Sequence, residues 1–157
     1  MGEIKYKLVE GSGKGKEFSV AATQTFHRLG GKFVKIVSGN LTLCATGDAV
    51  VAGWVDSQKD NAGKPSWTSS TTAGADTVFM IRGTSDNIFE IPVDEKNASL
   101  ATSYIGRGVG LVMTGATKTK LQKAKLGATA SPLSIVDVDV ANKTVSVAVK
   151  PGSLQAN

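Results

Sequence analysis

The stretch Thr77–Val93 constrains the fold of this chain more than any other part of its sequence. Val78–Ile81 is a short continuous apolar run, which is typical of a strand buried on both faces. Gly83–Asn87 favours a turn, because Gly tolerates positive φ and Asp and Asn side chains bond to nearby backbone groups. Ile88–Val93 then alternates between two faces, and Pro92, which has no N–H to donate, marks a strand end or a sheet edge. We predict a β-hairpin here and expect it to form the core of the fold.

The composition favours strands over helices along the whole chain. The 157 residues include 17 valines, 15 threonines and 18 glycines. β-branched Val and Thr suit pleated strands, whereas frequent Gly suits tight turns. A chain of this length can bury a sizeable core. We therefore expect a mainly β protein, either a small antiparallel β-barrel or a β-sandwich built from hairpins, with an extended N-terminal arm and little helix.

Two further regions carry strand patterns. Phe33–Val55 contains three apolar segments separated by the turns Ser38–Asn40 and Thr46–Asp48, which predicts an antiparallel meander. Gly53 in the last segment is typical of a bulge or a close backbone approach. Near the C-terminus, two stripes of alternating valines flank a turn and predict a second hairpin: Val136, Val138 and Val140, then Val145, Val147 and Val149.

These patterns divide the chain into three parts. Residues 1–30 form an N-terminal arm and a flexible loop rich in Gly and Lys, residues 31–150 form a single β domain, and residues 151–157 form a polar tail. Within the arm, Ile4–Val9 alternates apolar residues with lysines, as an amphipathic strand or an arm ordered by a partner does. Gly11–Lys16 is not a phosphate-binding loop, because Glu10 replaces its first glycine and no Ser or Thr follows the lysine.

Three segments leave their structure open at this stage. Thr117–Leu126 permits a short helix ended by Gly127 or a bulged strand. Gly106–Gly110 has glycines at every second position, which fits a kinked strand better than a dinucleotide site. Asp56–Asp76 is a long polar segment, and its Trp67 is either folded back onto the protein or an interface anchor.

The residue types that carry catalysis lack partners in this sequence. Cys44 is the single cysteine, which excludes an intrachain disulfide, and its apolar neighbours predict a buried, inert thiol. His27 is the single histidine, so metal ligation and activation of a nucleophile both lack a second group. Asp137 and Asp139 share a strand face, as a pair of acid/base groups could. Because they alternate with valines, we expect them to be solvent-exposed charges that aid solubility. We predict no enzymatic activity and no catalytic, cofactor-binding or metal-binding residues.

The net charge of +5 favours acidic partner surfaces. Four lysines of one segment are our candidates for contact with a polyanion or an acidic surface: Lys118, Lys120, Lys123 and Lys125. A solvated face without a partner is the alternative. Lysines without interleaved aromatic residues bind nucleic acid only non-specifically, and the chain has three arginines, so nucleic acid is not the expected partner.

The N-terminal sequence lacks the apolar segment of a signal peptide, and no stretch has the length of a membrane span. We therefore expect synthesis in a host cytoplasm and no membrane partner.

Five segments share their order and their residue pattern with a known family. They are Gly31–Val34, Asp48–Val55, Phe89–Pro92, Ile105–Gly110 and the closing valine hairpin. Over roughly residues 31–149 the chain resembles the capsid decoration, or cement, proteins of tailed bacteriophages. The resemblance implies a structural virion protein without catalytic residues that binds the exterior of an assembled capsid and cements adjacent capsomers. The implied partner is the major capsid protein, and the implied state is a homo-oligomer, with a trimer favoured and a dimer possible.

In that family the contact surface is commonly an N-terminal segment that adds to strands of the capsid. By position, the resemblance assigns this role to six residues: Ile4, Lys5, Tyr6, Lys7, Leu8 and Val9. Trp67 is a further candidate for the interface with the capsid or with another protomer.

The alternative comes from a different functional class. A β-sandwich module that binds carbohydrate or another ligand, on a phage tail or fibre, would have a similar composition. Such modules present several aromatic side chains on one face, and the tryptophans here are Trp54 and Trp67. Specific sugar binding that Trp67→Ala abolishes would favour this alternative.

Overall fold

The computed structural model describes residues 7–27, 32–57, 66–84, 86–94, 100–114 and 121–155. Within these residues the chain forms thirteen β-strands and two single-turn 3-10 helices, at Thr102–Tyr104 and Pro151–Ser153. The strands are β1 (Lys7–Glu10), β2 (Gly15–Ser19), β3 (Thr25–His27), β4 (Phe33–Val37), β5 (Asn40–Leu43), β6 (Gly53–Ser57), β7 (Ser66–Thr68), β8 (Thr77–Arg82), β9 (Ile88–Pro92), β10 (Gly108–Thr114), β11 (Leu121–Leu126), β12 (Leu133–Asp139) and β13 (Thr144–Val149). The prediction of a mainly β fold with little helix is confirmed.

Six strands form the larger antiparallel sheet, in the order β1-β9-β13-β12-β10-β11. The sheet curls so that β9 approaches β11, as a bridge between Val93, just after β9, and Ala124 in β11 shows. The Asp94 N–H also donates to the Ala124 carbonyl at 2.9 Å. Five of the strands therefore nearly close into a small barrel, and β1 extends it beside β9.

Five strands form the second sheet, in the order β2-β8-β6-β4-β5, and β3 pairs with β7 in a separate ladder. The interior strand β8, between β2 and β6, sends Val78 and Met80 to one face and Phe79 and Ile81 to the other. Both faces of this strand are covered, as its apolar run predicts. The second sheet is therefore the middle layer of the fold.

Two hydrophobic cores lie on the two faces of this middle layer. In the first core, shared with the six-stranded sheet, Trp54 stacks on Phe89 with 4.7 Å between ring centroids. Phe33 meets Trp54 edge-on at 4.8 Å, and all three rings are 0% exposed. The second core contains Phe26 of β3 and Met80, so the β3–β7 ladder covers the outer face of the middle layer. Aromatic pairs of this kind add about 0.5–1.5 kcal/mol to the effect of burial alone.

The stretch Thr77–Val93 does not form a hairpin, so that prediction is wrong. β8 and β9 belong to different sheets, and the chain turns a corner between them. Asn87 fixes the corner: its Nδ2 donates to the Arg82 carbonyl at 2.9 Å and to Thr84 Oγ1 at 3.3 Å, and its Oδ1 accepts the Gly13 N–H at 3.1 Å. The turn residues were identified correctly, but a strand–turn–strand pattern fits a corner between packed sheets as well as a hairpin.

The predicted meander over Phe33–Val55 is also wrong in part. β4 and β5 form the expected hairpin, with Ser38 and Gly39 at positive φ in its turn. β6 pairs with β4 instead of β5, because the connection through residues 44–52 is long enough to carry the chain back past β5. The close approach expected at Gly53 is confirmed, since a Cβ there would overlap the Ile81 carbonyl oxygen.

The closing hairpin of β12 and β13 is confirmed, but one of its two faces differs from the prediction. A bulge between Ile135 and Asp137 shifts the register. Ile135 is therefore buried while Val136 is 42% exposed, and the expected apolar face of β12 does not form. The valines of β13 are buried as predicted: Val145, Val147 and Val149.

The segment Thr117–Leu126 contains a strand instead of a helix over its described part. β11 pairs with six of the seven residues of β10, from Val109 to Thr114. Upstream of β10, Gly106 has a φ of +92° in the preceding turn, and Gly110 packs directly against the chain near Ala130. The strand predicted for the glycine-rich segment is present from Gly108 onward.

The first and the last described segments of the chain both pair with the sheets. Residues 7–27 supply β1, β2 and β3, which pair with β9, β8 and β7. The described part of the predicted arm and flexible loop is therefore integrated in the fold. Residues 151–155 of the predicted polar tail contact the domain, because Leu154 bridges Val51 and the Gln155 side chain binds both backbone groups of Ile36, at 2.6 and 2.8 Å.

Candidate interaction surface

The first two strands form one continuous, bent ribbon with β8 and β9. β1 pairs with β9, β2 pairs with β8, and the two ladders meet at the corner that Asn87 fixes. In this register Leu8 lies opposite Phe89, and Phe18 lies opposite Val78. Residues 7–19 therefore run along two successive sheet edges, first of the six-stranded sheet and then of the five-stranded sheet.

β1 has one neighbouring strand in the described part of the chain, so its other side presents unpaired backbone groups. The outer side of β2 differs, because Val20, just after this strand, forms a parallel bridge to Leu41 of β5. In β1, Leu8 packs against the first core, whereas Val9 lies at a bulge and is 50% exposed. Such an edge can accept a strand of another chain. The bulge and the exposed charge of Glu10 limit indiscriminate pairing.

The structure describes half of the N-terminal residues that the resemblance assigns to the interface. Ile4, Lys5 and Tyr6 lie outside the described residues. The backbone of Lys7 and the whole of Leu8 and Val9 are described, and all three belong to β1. The predicted contact segment thus leads directly into an edge strand.

Trp67 is folded back onto the protein. Its ring stacks on Phe26 with 6.0 Å between centroids and an interplanar angle of 22°, and it packs against the second core. Of the two alternatives left open by the sequence, the structure therefore supports the packed one. Because Phe26 occupies one face of the indole, that face is not available to stack on a sugar.

Two of the four candidate lysines lie on the outer face of β11. Lys118 and Lys120 are outside the described residues, whereas Lys123 is half-buried and Lys125 is exposed. Lys125 also lines a shallow cleft together with Thr46 and other residues of the loops nearby. The two lysines are two positions apart on a strand, so their Cα atoms are roughly 7 Å apart and form a small basic stripe.

The structure also assembles a basic group that the sequence did not single out. The Lys16 Nζ lies 4.9 Å above the centroid of the Phe18 ring. The Arg82 N–H donates to the Lys14 carbonyl at 3.1 Å, which places Lys14 across the ladder from Arg82. The sequence signal was the alternation of Lys14, Lys16 and Phe18, but the arginine comes from a strand much later in the chain.

Cys44 is buried, which confirms the prediction for this residue. Its Sγ lies 3.7 Å from the Val50 carbonyl oxygen. Burial, followed by the nearby Asp48 carboxylate, raises the pKa of the thiol far above its usual range. Lys35 opposes this effect, but its ammonium group is paired with Asp48 at 2.9 Å. The thiolate, which is the reactive form of cysteine, is thus strongly disfavoured.

The two aspartates of β12 bond to groups close to them in the chain. Asp137 Oδ1 accepts the Val138 N–H at 2.9 Å, and Asp139 accepts the backbone N–H and the side-chain amide of Asn142 at 3.1 and 2.8 Å. The side chain of His27 lies outside the described residues. In the described ranges no group of three or more His, Cys, Asp or Glu side chains is arranged to hold a metal ion.

None of the helices in the described part of the chain has the length and apolar character needed to cross a bilayer. No protein-family model matches the chain, and neither a curated protein nor a solved structure matches it. Its function must therefore be inferred from the residues described above.

Proposed function

We propose that the protein is a structural component of a tailed-bacteriophage virion, which binds the exterior of an assembled capsid and cements adjacent capsomers. The edge position of β1 carries this proposal. Leu8 anchors the strand in the first core, while Val9 and the outer backbone groups of the strand face away from the domain. The segment Ile4–Val9 would pair along this edge with a strand of the major capsid protein.

The packing of the domain suits a protein that resists mechanical deformation. β8 contributes to both cores, so the middle layer is held on its two faces by buried side chains. Close-packed interiors have low compressibility and transmit strain. A body of this kind can hold neighbouring capsomers at a fixed spacing.

Repetition over a lattice supplies the strength of attachment in this proposal. Each copy needs only weak contacts with the capsid. Once one contact forms, the linked binding sites are held near the neighbouring capsomers, which raises their effective concentration there. Lys123 and Lys125 provide a second, electrostatic contact with an acidic surface of the capsid. The proposed assembly is a homo-oligomer, with a trimer favoured and a dimer possible, placed at a symmetry point of the capsid exterior.

The direct test is to produce the tagged protein during phage growth in the native host and to image the co-purifying particles by electron microscopy. We expect density for the protein on the outside of the capsid, at the junctions between capsomers. A soluble protein that co-purifies with no particle would refute the proposed function.

A pair of valine substitutions tests the role of the β1 edge. Val9 is 50% exposed and Val37, in the other sheet, is 48% exposed, so Val9→Lys and Val37→Lys should perturb folding equally little. We expect Val9→Lys to lower capsid occupancy at least about tenfold, or about 1.4 kcal/mol, while Val37→Lys decorates normally. Deleting residues 1–6, which leaves Leu8 and its packing intact, should also reduce binding. Normal decoration by both Val9→Lys and the deletion variant would refute the assignment of this edge.

A further inference from the structure

A cleft opens beside β10 at the point where β12 leaves it. The ladder between these two strands covers the first two residues of β10. Further along, the turn that follows β5 takes the place of β12, and the Gly47 N–H donates to the Leu111 carbonyl at 3.4 Å. The Met113 N–H donates to Thr46 Oγ1 at 2.8 Å. This turn forms one wall of the cleft.

The segment that follows β11 forms a second wall. Residues 128–130 lie directly on Gly110, where a Cβ would overlap the Ala130 carbonyl oxygen. Lys125 is the partner of Gly110 in the β10–β11 ladder, so its side chain emerges on the same face, beside this segment. The cleft between the walls has a volume of about 350 Å³, which lies in the range of small-molecule sites.

Three exposed side chains supply hydrogen-bond donors to the cleft. Thr46 Oγ1 accepts the Met113 N–H, which leaves its own hydrogen to donate. The Thr129 hydroxyl lines the cleft as well and makes no hydrogen bond within the described part of the chain. The Lys125 ammonium adds a positive charge, which no carboxylate of the described ranges pairs. The cleft therefore offers one cation and two hydroxyl groups to a ligand.

One cation and two neutral donors suit an acceptor with a single negative charge. Asp48 follows the turn directly, but its carboxylate is already bound by the Lys35 ammonium at 2.9 Å and by the Ala45 N–H at 2.7 Å. Its charge nevertheless disfavours a ligand with two negative charges. A carboxylate carries one charge, its oxygens accept up to roughly four hydrogen bonds, and its aliphatic carbons can pack on the apolar side chains that line the cleft.

We propose that this cleft binds a carboxylate of a partner protein. Lys125 neutralises its charge, and the hydroxyl groups of Thr46 and Thr129 donate to its oxygens. The carboxylate belongs to an acidic side chain or to a C-terminus, two sources that share this chemistry. The inference deepens the proposed electrostatic contact and rests on the proposed function for the capsid as the partner. It also separates the two lysines of the basic stripe, since Lys125 lines the cleft and Lys123 does not.

Short alanine peptides test the proposal on the full-length, isotope-labelled protein by NMR. One probe is capped at both ends and carries a single central Glu, and the other has no acidic side chain but a free C-terminal carboxylate. The controls are the first peptide with Gln in place of Glu and the second with an amidated C-terminus. We expect a carboxylate probe to shift the amide signals of Thr46, Gly47 and Thr129 saturably. Its affinity should exceed that of its control at least about tenfold and fall as salt is raised.

The two probes also identify the source of the carboxylate. Tighter binding of the Glu peptide indicates an acidic side chain of the partner, and tighter binding of the other probe indicates a C-terminus. Either result supports the proposal. Equal affinity of each probe and its uncharged control would overturn it, and so would tighter binding of inorganic phosphate than of both probes, because the cleft would then be a site for anions of higher charge.

A pair of lysine substitutions separates the cleft from the general charge of the surface. Lys125→Gln and Lys123→Gln remove the same charge from the same strand, but Lys125 alone of the two lines the cleft. We expect Lys125→Gln to weaken binding of the tighter probe at least about tenfold, and Lys123→Gln to weaken it less than about twofold. Equal losses in the two variants would mean that net charge alone attracts the peptide, and would overturn the proposal.

Imaging of co-purifying particles distinguishes a failure of this inference from a failure of the proposed function. Capsids decorated by a protein that binds neither carboxylate probe would overturn the carboxylate site and leave the capsid role intact. Saturable binding of a probe in the cleft, by a protein that co-purifies with no particle, would refute the capsid role and leave the carboxylate site intact.

Discussion

Gln122 pairs with Phe33 through two hydrogen bonds of the kind that a neighbouring strand normally makes. The Phe33 N–H donates to Gln122 Oε1 at 2.7 Å, and Gln122 Nε2 donates to the Phe33 carbonyl at 2.8 Å. The same side chain accepts the Lys32 N–H at 2.9 Å and donates to the Cys44 carbonyl at 3.0 Å. An amide side chain has two donors and two acceptor positions, so these four bonds use its full capacity. One residue of β11 thus ties the six-stranded sheet to the middle layer.

We predict that Gln122→Leu is strongly destabilising. Gln122 is 0% exposed, so the substitution removes four buried hydrogen bonds to backbone groups, although the Phe33 carbonyl keeps the Cys44 N–H at 3.0 Å. A buried backbone group that loses its partner costs about 1–3 kcal/mol, so we expect a loss of about 3 kcal/mol or more in the free energy of unfolding. Urea unfolding measures it, and Lys123→Leu on the outer face of the same strand is the control. Similar losses in the two variants would contradict the prediction.

Gln155→Leu tests whether burial determines the cost of losing such an amide. Gln155 makes the same two bonds to the backbone of Ile36, but it is only partly buried. Water can replace its hydrogen bonds, so we expect a loss of about 1 kcal/mol, well below that of Gln122→Leu. Urea unfolding of both variants under one set of conditions makes the comparison. A larger loss for Gln155→Leu would show that the C-terminal segment is more important for stability than its exposure indicates.

Two glycine substitutions distinguish close packing from backbone strain. A Cβ at Gly53 would overlap the Ile81 carbonyl oxygen, which cannot move without disturbing β8. Gly39 has a φ of +80°, but a Cβ there meets nothing within 4 Å. We expect Gly39→Ala to cost about 1–2 kcal/mol from its φ alone, and Gly53→Ala to cost about 3 kcal/mol or more. Thermal unfolding of the two proteins would reveal the difference, and the reverse order would disprove it.

The buried thiol predicts a loss of stability in alkaline solution. Because the pKa of Cys44 is raised in the folded state, the unfolded chain loses this proton first as the pH rises. Unfolding therefore releases a proton above about pH 8.5, the usual pKa of a cysteine, and stability falls by up to about 1.4 kcal/mol per pH unit from this group. Below that pH the contribution is constant.

Cys44→Val should remove this part of the pH dependence. The measurement is urea unfolding of both proteins at pH 8 and pH 10, compared as differences so that other groups cancel. Equal slopes for the two proteins would show that the thiol does not titrate in this way.

Alternation in the sequence predicted which residues are buried better than it predicted which strands pair. The apolar run Val78–Ile81 correctly indicated a strand covered on both faces, and Cys44 is buried as its neighbours suggested. Burial follows from local pattern because each apolar side chain must leave water wherever its strand is placed. Pairing depends on partners far along the chain, so the corner at Asn87 could not be distinguished from a hairpin turn.

Single residues that interrupt a pattern account for other differences. The bulge at Val136 reverses the alternation of buried and exposed side chains along β12. No residue type in that strand predicts a bulge. Gln155 follows a 3-10 turn in a polar segment. It can bond to the backbone of Ile36 because the ladder between β4 and β6 covers only Phe33 and Val34, and this arrangement arises only in the folded chain.

The interaction surface was predictable only in part. The N-terminal segment was placed by position, and its last residues do form an edge strand. The basic group beside β2 needs Lys14 and Arg82 together, and these meet only when the ladder forms. Side chains from distant strands cannot be grouped from spacing in the sequence.

The ribbon of residues 7–19 has a consequence for synthesis on the ribosome. The first strands to be made pair with β8 and β9, which are made much later, so the N-terminal segment must wait unpaired while the middle of the chain is translated. Gln155, which follows all thirteen strands, then binds the backbone of Ile36 in β4. Contacts between such distant parts of a chain form slowly. We expect nascent chains truncated before β9 to be degraded by protease, and resistance to appear only when β13 and Gln155 are present.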